Sequence, residues 1–271
     1  MKKLILFILF VLCPLELSSE TIASYNVLRL GQSKKDYNAL AKTMSQFDIV
    51  GLIEVMNEDG VRALVEALNN NPSIEWKYLV SNYKVGRTTY KEYYAYVYKT
   101  PKVELIHPVG FYLEIADEFE REPYGAMFKI GKFDFVFVLC HFIYGKDESE
   151  REEEASNLIY VYEYFRKISG DEKDVIIAGD FNLSANNPAF TSLLQRSGSI
   201  RYRINPTFKT TVGLMGLSNS YDNIFASLTY TWEIEYGGVY VPDIKDYLVY
   251  RKIVSDHLPV YIKVKTTTDD D

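Results

Sequence analysis

Asp174-Val175-Ile176-Ile177-Ala178-Gly179-Asp180-Phe181-Asn182 is the stretch on which the reading of the fold turns. Val175 to Ala178 are small and apolar without a break, as in a strand buried on both faces. Gly179 marks the place where the strand ends and the backbone turns. Asp180 and Asn182 follow two apart, and on an extended exit side chains two apart point the same way. A carboxylate and an amide then share one site at a strand's carboxyl end, and hard cations bind such oxygen donors. The plainer reading is a polar turn with local hydrogen bonds. The rest of the chain decides between them.

The 271 residues are 47% hydrophobic and 15% aromatic, enough for one large α/β domain. With 30 basic against 37 acidic residues the net charge is -7, which opposes bulk attraction to nucleic acid or to an anionic membrane. A nucleic-acid substrate would need local cations and a metal. Met1-Lys2-Lys3, the apolar run Leu4 to Leu12 and the small residues Ser18-Ser19 form the pattern of an export signal over residues 1–19. The run is far short of the ~20 residues that span a bilayer, so no membrane insertion is expected. The destination is secreted or periplasmic. Lipid anchoring through Cys13 is the weaker alternative, because Leu12 stands where a small residue is expected. Without Cys13, Cys140 is the only thiol and no internal disulfide forms.

Working outward, strands are expected at Thr21–Val27, Asp48–Glu54, Trp76–Val80, Tyr93–Lys99 and Val103–His107, then Tyr124–Ile130, Phe133–Cys140, Asp222–Phe225, Tyr230–Tyr236 and Pro259–Val264. Gly131-Lys132 reads as a hairpin turn. Helices are expected at Asp36–Phe47, Asn57–Leu68, from the acidic run Asp147–Glu154 to Ile168, and near Pro188–Leu194. The acidic run reads as a helix start whose charges suit the dipole. No repeat or linker divides residues 20–265, so one domain of two packed sheets flanked by helices is expected, and residues 266–271 read as a disordered acidic tail.

Polar residues recur where strands end: Asn26, Glu54, Asp180, Asn182, Asp222 and Asp256, with His141 and His257 beside strong strands. The ordered series Tyr25-Asn26-Val27, Ile53-Glu54-Val55, Tyr90-Lys91-Glu92, Arg121-Glu122-Pro123, His141, Gly179-Asp180-Phe181-Asn182, Tyr221-Asp222-Asn223 and Ser255-Asp256-His257-Leu258-Pro259 resembles the endonuclease/exonuclease/phosphatase superfamily. Within it, Gly86 to Glu92 and Arg121-Glu122-Pro123 look like deoxyribonuclease I. The resemblance implies a four-layer α/β sandwich, with the site where the strand ends of both sheets meet. It assigns Asn26, Glu54, Asp180, Asn182 and Asp256 to a divalent-metal and phosphate cluster, for magnesium or manganese. It makes His141, oriented by Glu92, and His257, oriented by Asp222, the catalytic histidines, with Asp180 between metal and catalysis. Arg121 matches a phosphate-binding arginine and Tyr90 an aromatic against the sugar. Arg87 and Lys91 are expected to add phosphate contacts. Asp117, the Phe119 carbonyl and Glu122 have the spacing of a calcium loop, and a plain solvated acidic loop is the alternative.

The chemistry stands without the family. Cleaving a phosphodiester needs a water that loses a proton, neutralised phosphate charge and a proton for the leaving oxygen. Two histidines backed by carboxylates and a cluster of oxygen donors supply all three. Which histidine is base stays open, and His107 lacks a motif and reads as a structural or surface residue. Met56 stands where the resemblance expects an arginine, Lys209 where it expects an aspartate of a second calcium loop, and its two cysteine pairs are absent. The expected activity is a secreted, monomeric, metal-dependent endonuclease acting on duplex DNA with little sequence preference. The alternatives are a sphingomyelinase-like or phosphoinositide-directed enzyme or a toxin's nuclease subunit on the same site, and a binding protein with a dead site. That last would lack a ligand or a histidine, and none is missing.

Overall fold

A computed structural model describes residues 19–196 and 199–269, so the expected export signal, apart from Ser19, lies outside the described residues, as do Cys13 and the last two residues. The chain begins with β1 (Glu20–Leu30), α1 (Tyr37–Met44), β2 (Ile49–Val55), α2 (Glu58–Leu68), β3 (Glu75–Val80), β4 (Tyr93–Thr100) and β5 (Val103–Phe111). Then come β6 (Tyr124–Ile130), β7 (Phe133–His141), α3 (Glu148–Ile168), β8 (Val175–Asp180) and, after a 3-10 turn, α4 (Thr191–Leu194). The last part holds β9 (Ile200–Tyr202), β10 (Asp222–Ser227), β11 (Ile234–Val239), α5 (Tyr247–Ile253) and β12 (Val260–Val264).

The strands form two six-stranded sheets, ordered β11-β12-β1-β2-β4-β3 and β5-β6-β7-β8-β10-β9. Each has one parallel pair at its centre, β1 with β2 and β7 with β8, and antiparallel neighbours outside it. Strands buried on both faces need continuous apolar runs, which is why Val175–Ala178 carries no alternation.

Three clusters make four layers. Ile22, Ile53, Tyr94 and Tyr96 of the first sheet meet Phe128, Phe135, Phe137 and Ile176 of the second. Leu40, Leu64 and Tyr250 of α1, α2 and α5 cover the first sheet, and Leu158, Val161, Phe165 and Leu193 of α3 and α4 cover the second. Buried tyrosines need hydroxyl partners. That of Tyr96 lies 2.9 Å from the Tyr124 carbonyl and 2.7 Å from that of Phe137, which ties the first sheet to the second. The expected four-layer sandwich is the observed one.

Four details differ from the sequence reading. Gly179 does not end its strand, because β8 runs through it to Asp180. Its lack of a side chain serves a close approach instead: a Cβ there would fall 1.8 Å from the Cys140 carbonyl on β7. The strand expected at Tyr230–Tyr236 starts only at Ile234, since the Thr229, Tyr230 and Thr231 amides all bond to Ser227 in a turn. β9 and α5 were not expected: one is three residues long, and Tyr247-Leu248-Val249-Tyr250 has no helical periodicity. Thr266, expected in a disordered tail, is buried, bonding through its hydroxyl to Glu20 (2.7 Å) and through its carbonyl to the Lys132 amide (2.8 Å).

Candidate active site

Register alone aligns the polar strand ends. His141 is the parallel partner of Asp180, and Asp222 its antiparallel partner, so three adjacent strands of the second sheet end in these residues at one level. From the first sheet come Asn26 of β1 and Glu54 of β2, with Glu92 just before β4 and Ser255 to His257 before β12. A cleft of about 470 Å³ opens over them, lined among others by Glu54, Tyr90, Arg121, His141, Asp180, Asn182, Asp256 and His257. Asn182 reaches it by a different path from the extended exit expected. Its φ is +48° and its amide bonds to Asp180 Oδ1 (3.0 Å), a turn closed by the Asp side chain. Both residues still face the cleft. Glu54 also sits at positive φ (+62°), a local strain of a kind concentrated at functional sites.

Two imidazole–carboxylate pairs bridge the sheets. His141 Nδ1 lies 2.7 Å from Glu92 Oε1, and His257 Nδ1 lies 2.8 Å from Asp222 Oδ2. Both remaining nitrogens face Asp180 Oδ2, at 3.8 Å from His141 Nε2 and 3.4 Å from His257 Nε2. Burial alone would lower both histidine pKa values. Glu92 and Asp180 outweigh it at His141, and Asp222 and Asp180 hold His257 well above its ordinary value. Asp222 is itself pushed up to about 6 by burial, against the pull of His257 and with the push of Asp180. Both shifts describe one proton held between Asp222 and His257.

Oxygen donors gather beside the pairs. The Asn26 amide nitrogen spans Glu54 Oε1 (3.0 Å) and Asp180 Oδ2 (3.1 Å), while its Oδ1 accepts from the Leu28 amide. Asn26 thus holds two carboxylates together and turns its nitrogen, not its oxygen, to the cluster. Glu54 would be raised by burial, but His141 and the hydrogen bonds from Asn26 and Tyr90 keep it below the usual carboxylate range. Asp256 Oδ1 is buried with no hydrogen-bond partner. An orphaned carboxylate oxygen is costly unless a cation completes it. With Glu54 and Asp180 lining the same cleft, these residues fit a hard divalent cation. Asp180, Asp222 and His257 also offer ligand atoms within 4.8 Å of one another, a second place for a metal. His257 and Asp222 already spend a nitrogen and an oxygen on each other.

Arg121 enters from the loop before β6. Its guanidinium lies 3.3 Å from Glu92 Oε2 and donates to the carbonyls of His141 (3.2 Å) and Phe142 (3.4 Å). The Tyr90 hydroxyl donates to Glu54 Oε2 (2.9 Å), and the guanidinium groups of Arg29 (5.1 Å) and Arg121 (5.7 Å) pack on its ring. Burial and the neighbouring carboxylates push its phenol far above the ordinary value, so it stays a donor.

Not every expected residue arrives. Arg87 is turned to Asp117, with Nε 3.1 Å from Oδ1 and a second nitrogen donating to the Asp117 carbonyl. Lys91 lines a neighbouring recess with Met56, outside the main cleft. Within the expected calcium set, Arg87 meets Asp117 at Oδ1 and at the backbone carbonyl, the Phe119 amide donates to Glu114 (2.8 Å), and Glu122 is half-buried. His107, expected to be structural or on the surface, is exposed.

Three residues escaped the sequence reading. Arg29 follows Leu28 in a bulge of two positive-φ residues, which periodicity cannot foresee. Arg251 of α5 lies 3.6 Å from Asp256 Oδ2. Glu154 had a readable signal: it is in helical phase with Leu158, Val161 and Phe165 on the buried face of α3. Its two oxygens accept from the Glu120 amide (2.6 Å) and the Ile143 amide (2.8 Å), fixing the segments that carry Arg121 and His141.

Comparison with known proteins agrees with this geometry. Residues 23–257 match the model of the Endonuclease/Exonuclease/phosphatase family. A "Deoxyribonuclease" of Thioalkalivibrio sp. (strain K90mix) is 30% identical over 210 residues, 72% of this chain and 56% of that protein. A "Deoxyribonuclease-1-like 1" of Cricetulus griseus is 33% identical over 119 residues, 42% of this chain and 37% of that protein. The chain thus spans less than two thirds of the length of either relative. In fold it is similar to an endonuclease/exonuclease/phosphatase family protein of Bacteroides thetaiotaomicron, with TM-score 0.65, 19% identity and coverage of 91% of this chain and 95% of that one. It is similar also to D. rerio TDP2 complexed with single strand DNA product, with TM-score 0.62, 15% identity and coverage of 91% and 98%. The strand ends, the paired histidines and the match across residues 23–257 lead to one conclusion: this chain belongs to the endonuclease/exonuclease/phosphatase family.

Proposed function

We propose that the protein is a divalent-metal-dependent endonuclease that hydrolyses phosphodiester bonds of duplex DNA with little sequence preference. The observation that carries it is the convergence of two carboxylate-backed imidazoles on Asp180 beside a cluster of oxygen donors. The deoxyribonuclease relatives support DNA as the substrate.

Glu54, Asp180 and Asp256, with Asn182, would hold the cation, magnesium or manganese. When bound, it neutralises phosphate charge and polarises the attacked phosphorus. Asn182 spends its amide nitrogen on the Phe142 carbonyl (2.9 Å), which leaves its oxygen for this duty. One histidine takes a proton through Nε2 from the attacking water as the water oxygen bonds to phosphorus. The phosphorus–O3′ bond breaks, and the other histidine gives the Nε2 proton to that oxygen. Glu92 and Asp222 fix the opposite nitrogens and stabilise the charged rings. Arg121 binds the phosphate, Tyr90 lies against the sugar, and contacts of this kind read no bases.

The basic start and apolar run of the first 19 residues support export to the periplasm or medium. Among the described residues no helix is long and apolar enough to cross a membrane. We take the active form to be a monomer. The decisive test is a parallel assay of the purified chain on plasmid, single-stranded DNA, RNA and sphingomyelin, with magnesium, manganese and calcium varied. Nicking of plasmid that EDTA abolishes is expected. Intact plasmid with hydrolysed sphingomyelin would overturn the reading in favour of a lipid phosphodiesterase.

A further inference from the structure

The rim of the cleft carries a feature that the catalytic reading does not use. Val212 and Leu217 pair across a hairpin, and the Gly213 amide donates to the Gly216 carbonyl (2.7 Å), leaving Leu214 and Met215 at the tip. Two-residue turns favour Asn, Asp and Gly. Here the tip is apolar and in water, with Leu214 66% and Met215 96% exposed. Side chains so exposed add almost nothing to folding, so a local rule is broken without a gain in stability.

The base of the hairpin, in contrast, is held firmly and held to the site. The Val212 amide donates to the Asp256 carbonyl (2.7 Å), and the Leu258 amide to that of Thr210 (2.7 Å). Arg251 donates to the Val212 carbonyl and reaches Asp256 Oδ2 at 3.6 Å. The hydroxyls of Thr211 and Ser218 bond across the hairpin at 2.8 Å. Thr211, Ser218 and Asn219 line the same cleft as Asp180 and His257. The tip is therefore fixed in position relative to the reacting centre.

We propose that the Leu214–Met215 tip is a wedge that enters a groove of the duplex substrate and inserts between base steps beside the scissile phosphate. The inference rests on the endonuclease reading and names how that site grips a duplex. Leu and Met are among the side chains that wedge base steps apart, and a tip two residues wide suits a minor groove about 6 Å across. Continuity with a cleft that also holds Arg29, Arg121 and Arg251 favours a phosphate-bearing partner. A lipid surface is disfavoured: two apolar side chains are a small anchor, and a net charge of -7 opposes anionic headgroups.

The test replaces the tip with ordinary turn residues, Leu214→Asn with Met215→Gly, which the hairpin accepts. Wild type and variant are compared by kcat/KM on a duplex and on bis(p-nitrophenyl) phosphate, a diester too small to reach the tip. The ratio of duplex to small-diester kcat/KM is expected to fall about tenfold, the weight of one buried apolar side chain. A duplex carrying 2-aminopurine should brighten on binding wild type, as the base unstacks, and not on binding the variant. An unchanged ratio overturns the wedge while leaving the endonuclease reading intact, and wild type that cuts no DNA overturns both. Tip-dependent sedimentation with phosphatidylcholine–sphingomyelin vesicles, at an unchanged ratio, overturns the wedge in favour of a lipid contact.

Discussion

The two histidine–carboxylate pairs look alike in distance and differ in company. At 2.7 and 2.8 Å the two hydrogen bonds are equivalent, and each joins one sheet to the other. Glu92, however, is shared: it also accepts from the Glu54 amide (3.3 Å) and faces the Arg121 guanidinium (3.3 Å). Asp222 serves its histidine with Thr210 nearby, and its carboxyl is raised to about 6, first by burial. The first pair is a junction that assembles metal side, phosphate side and imidazole. The second is a proton-holding pair with little else to support. Damage to the first should therefore spread, and damage to the second should stay chemical.

The largest expected effect does not separate the pairs. His141→Ala and His257→Ala should each lower kcat on DNA about 10³- to 10⁴-fold, because each removes one proton transfer from the same step. The double variant should lose little more than either single, since groups that act as a unit are not additive. Steady-state nicking rates of the three proteins measure this, and multiplied losses would show the histidines to act independently.

The carboxylates separate the pairs. Asp222→Asn should lower kcat about 10³-fold by releasing the histidine tautomer, with a stability change of about 1 kcal/mol or less, because a carboxylate with a raised pKa already resists its charge. Glu92→Gln should lower kcat similarly and also cost about 3–5 kcal/mol, because it leaves the buried Arg121 without its counter-ion. Urea unfolding measures the stabilities. Equal stability losses in the two variants would remove the distinction drawn between the pairs.

The same contrast shows what could be read in advance. The polar positions were legible because parallel strands advertise themselves as apolar runs, and each run gives way to a polar residue at or near its carboxyl end: Asn26, Glu54, His141, Asp180. Which carboxylate stands behind which histidine came from the family resemblance, since no local pattern links Glu92 to His141 across 49 positions. Arg87 was misjudged because an exposed arginine in a basic stretch carries no sign of its partner, and Asp117 is 30 positions away. Arg29 was missed because positive φ at Leu28 and Arg29 rotates the side chain out of strand alternation. Glu154 lay hidden in an acidic run whose other members are exposed or half-buried near the helix start.

Glu154 tests the junction at one remove, since it braces only the Arg121 and His141 segments. Glu154→Gln replaces one of two charge-assisted acceptors by a donor and should cost about 1–3 kcal/mol. Its pH signature has a definite sign. Burial raises the carboxyl from 4.5 to about 7, against the two amides and Arg121. The folded chain thus holds a proton there that the unfolded chain has lost, so this stabilising term is present below pH 4.5 and lost as pH rises through about 7. Glutamine has no such term. The stability difference, wild type minus Glu154→Gln, should therefore be smaller at pH 8 than at pH 5. Melting curves at the two pH values decide it, and a difference that grew toward pH 8 would contradict the buried, proton-binding carboxyl.

The smallest effect concerns the outer face of the first pair. Arg29 and Arg121 both pack on the Tyr90 ring, but only Arg121 has a buried carboxylate partner. Arg29 lines the cleft and has its charge free to meet a phosphate. Arg29→Ala should raise KM for DNA a few-fold, leave kcat nearly constant, and reduce the dependence of log K on log salt by about one phosphate contact. Arg29→Lys should restore the salt slope while leaving part of the KM defect, because an ammonium keeps the charge and loses the planar stack on the ring. Titrating cleavage against sodium chloride for the three proteins separates the two contributions. A salt slope that did not change in Arg29→Ala would mean that the arginine serves Tyr90 alone and that the phosphate grip of this side belongs entirely to Arg121.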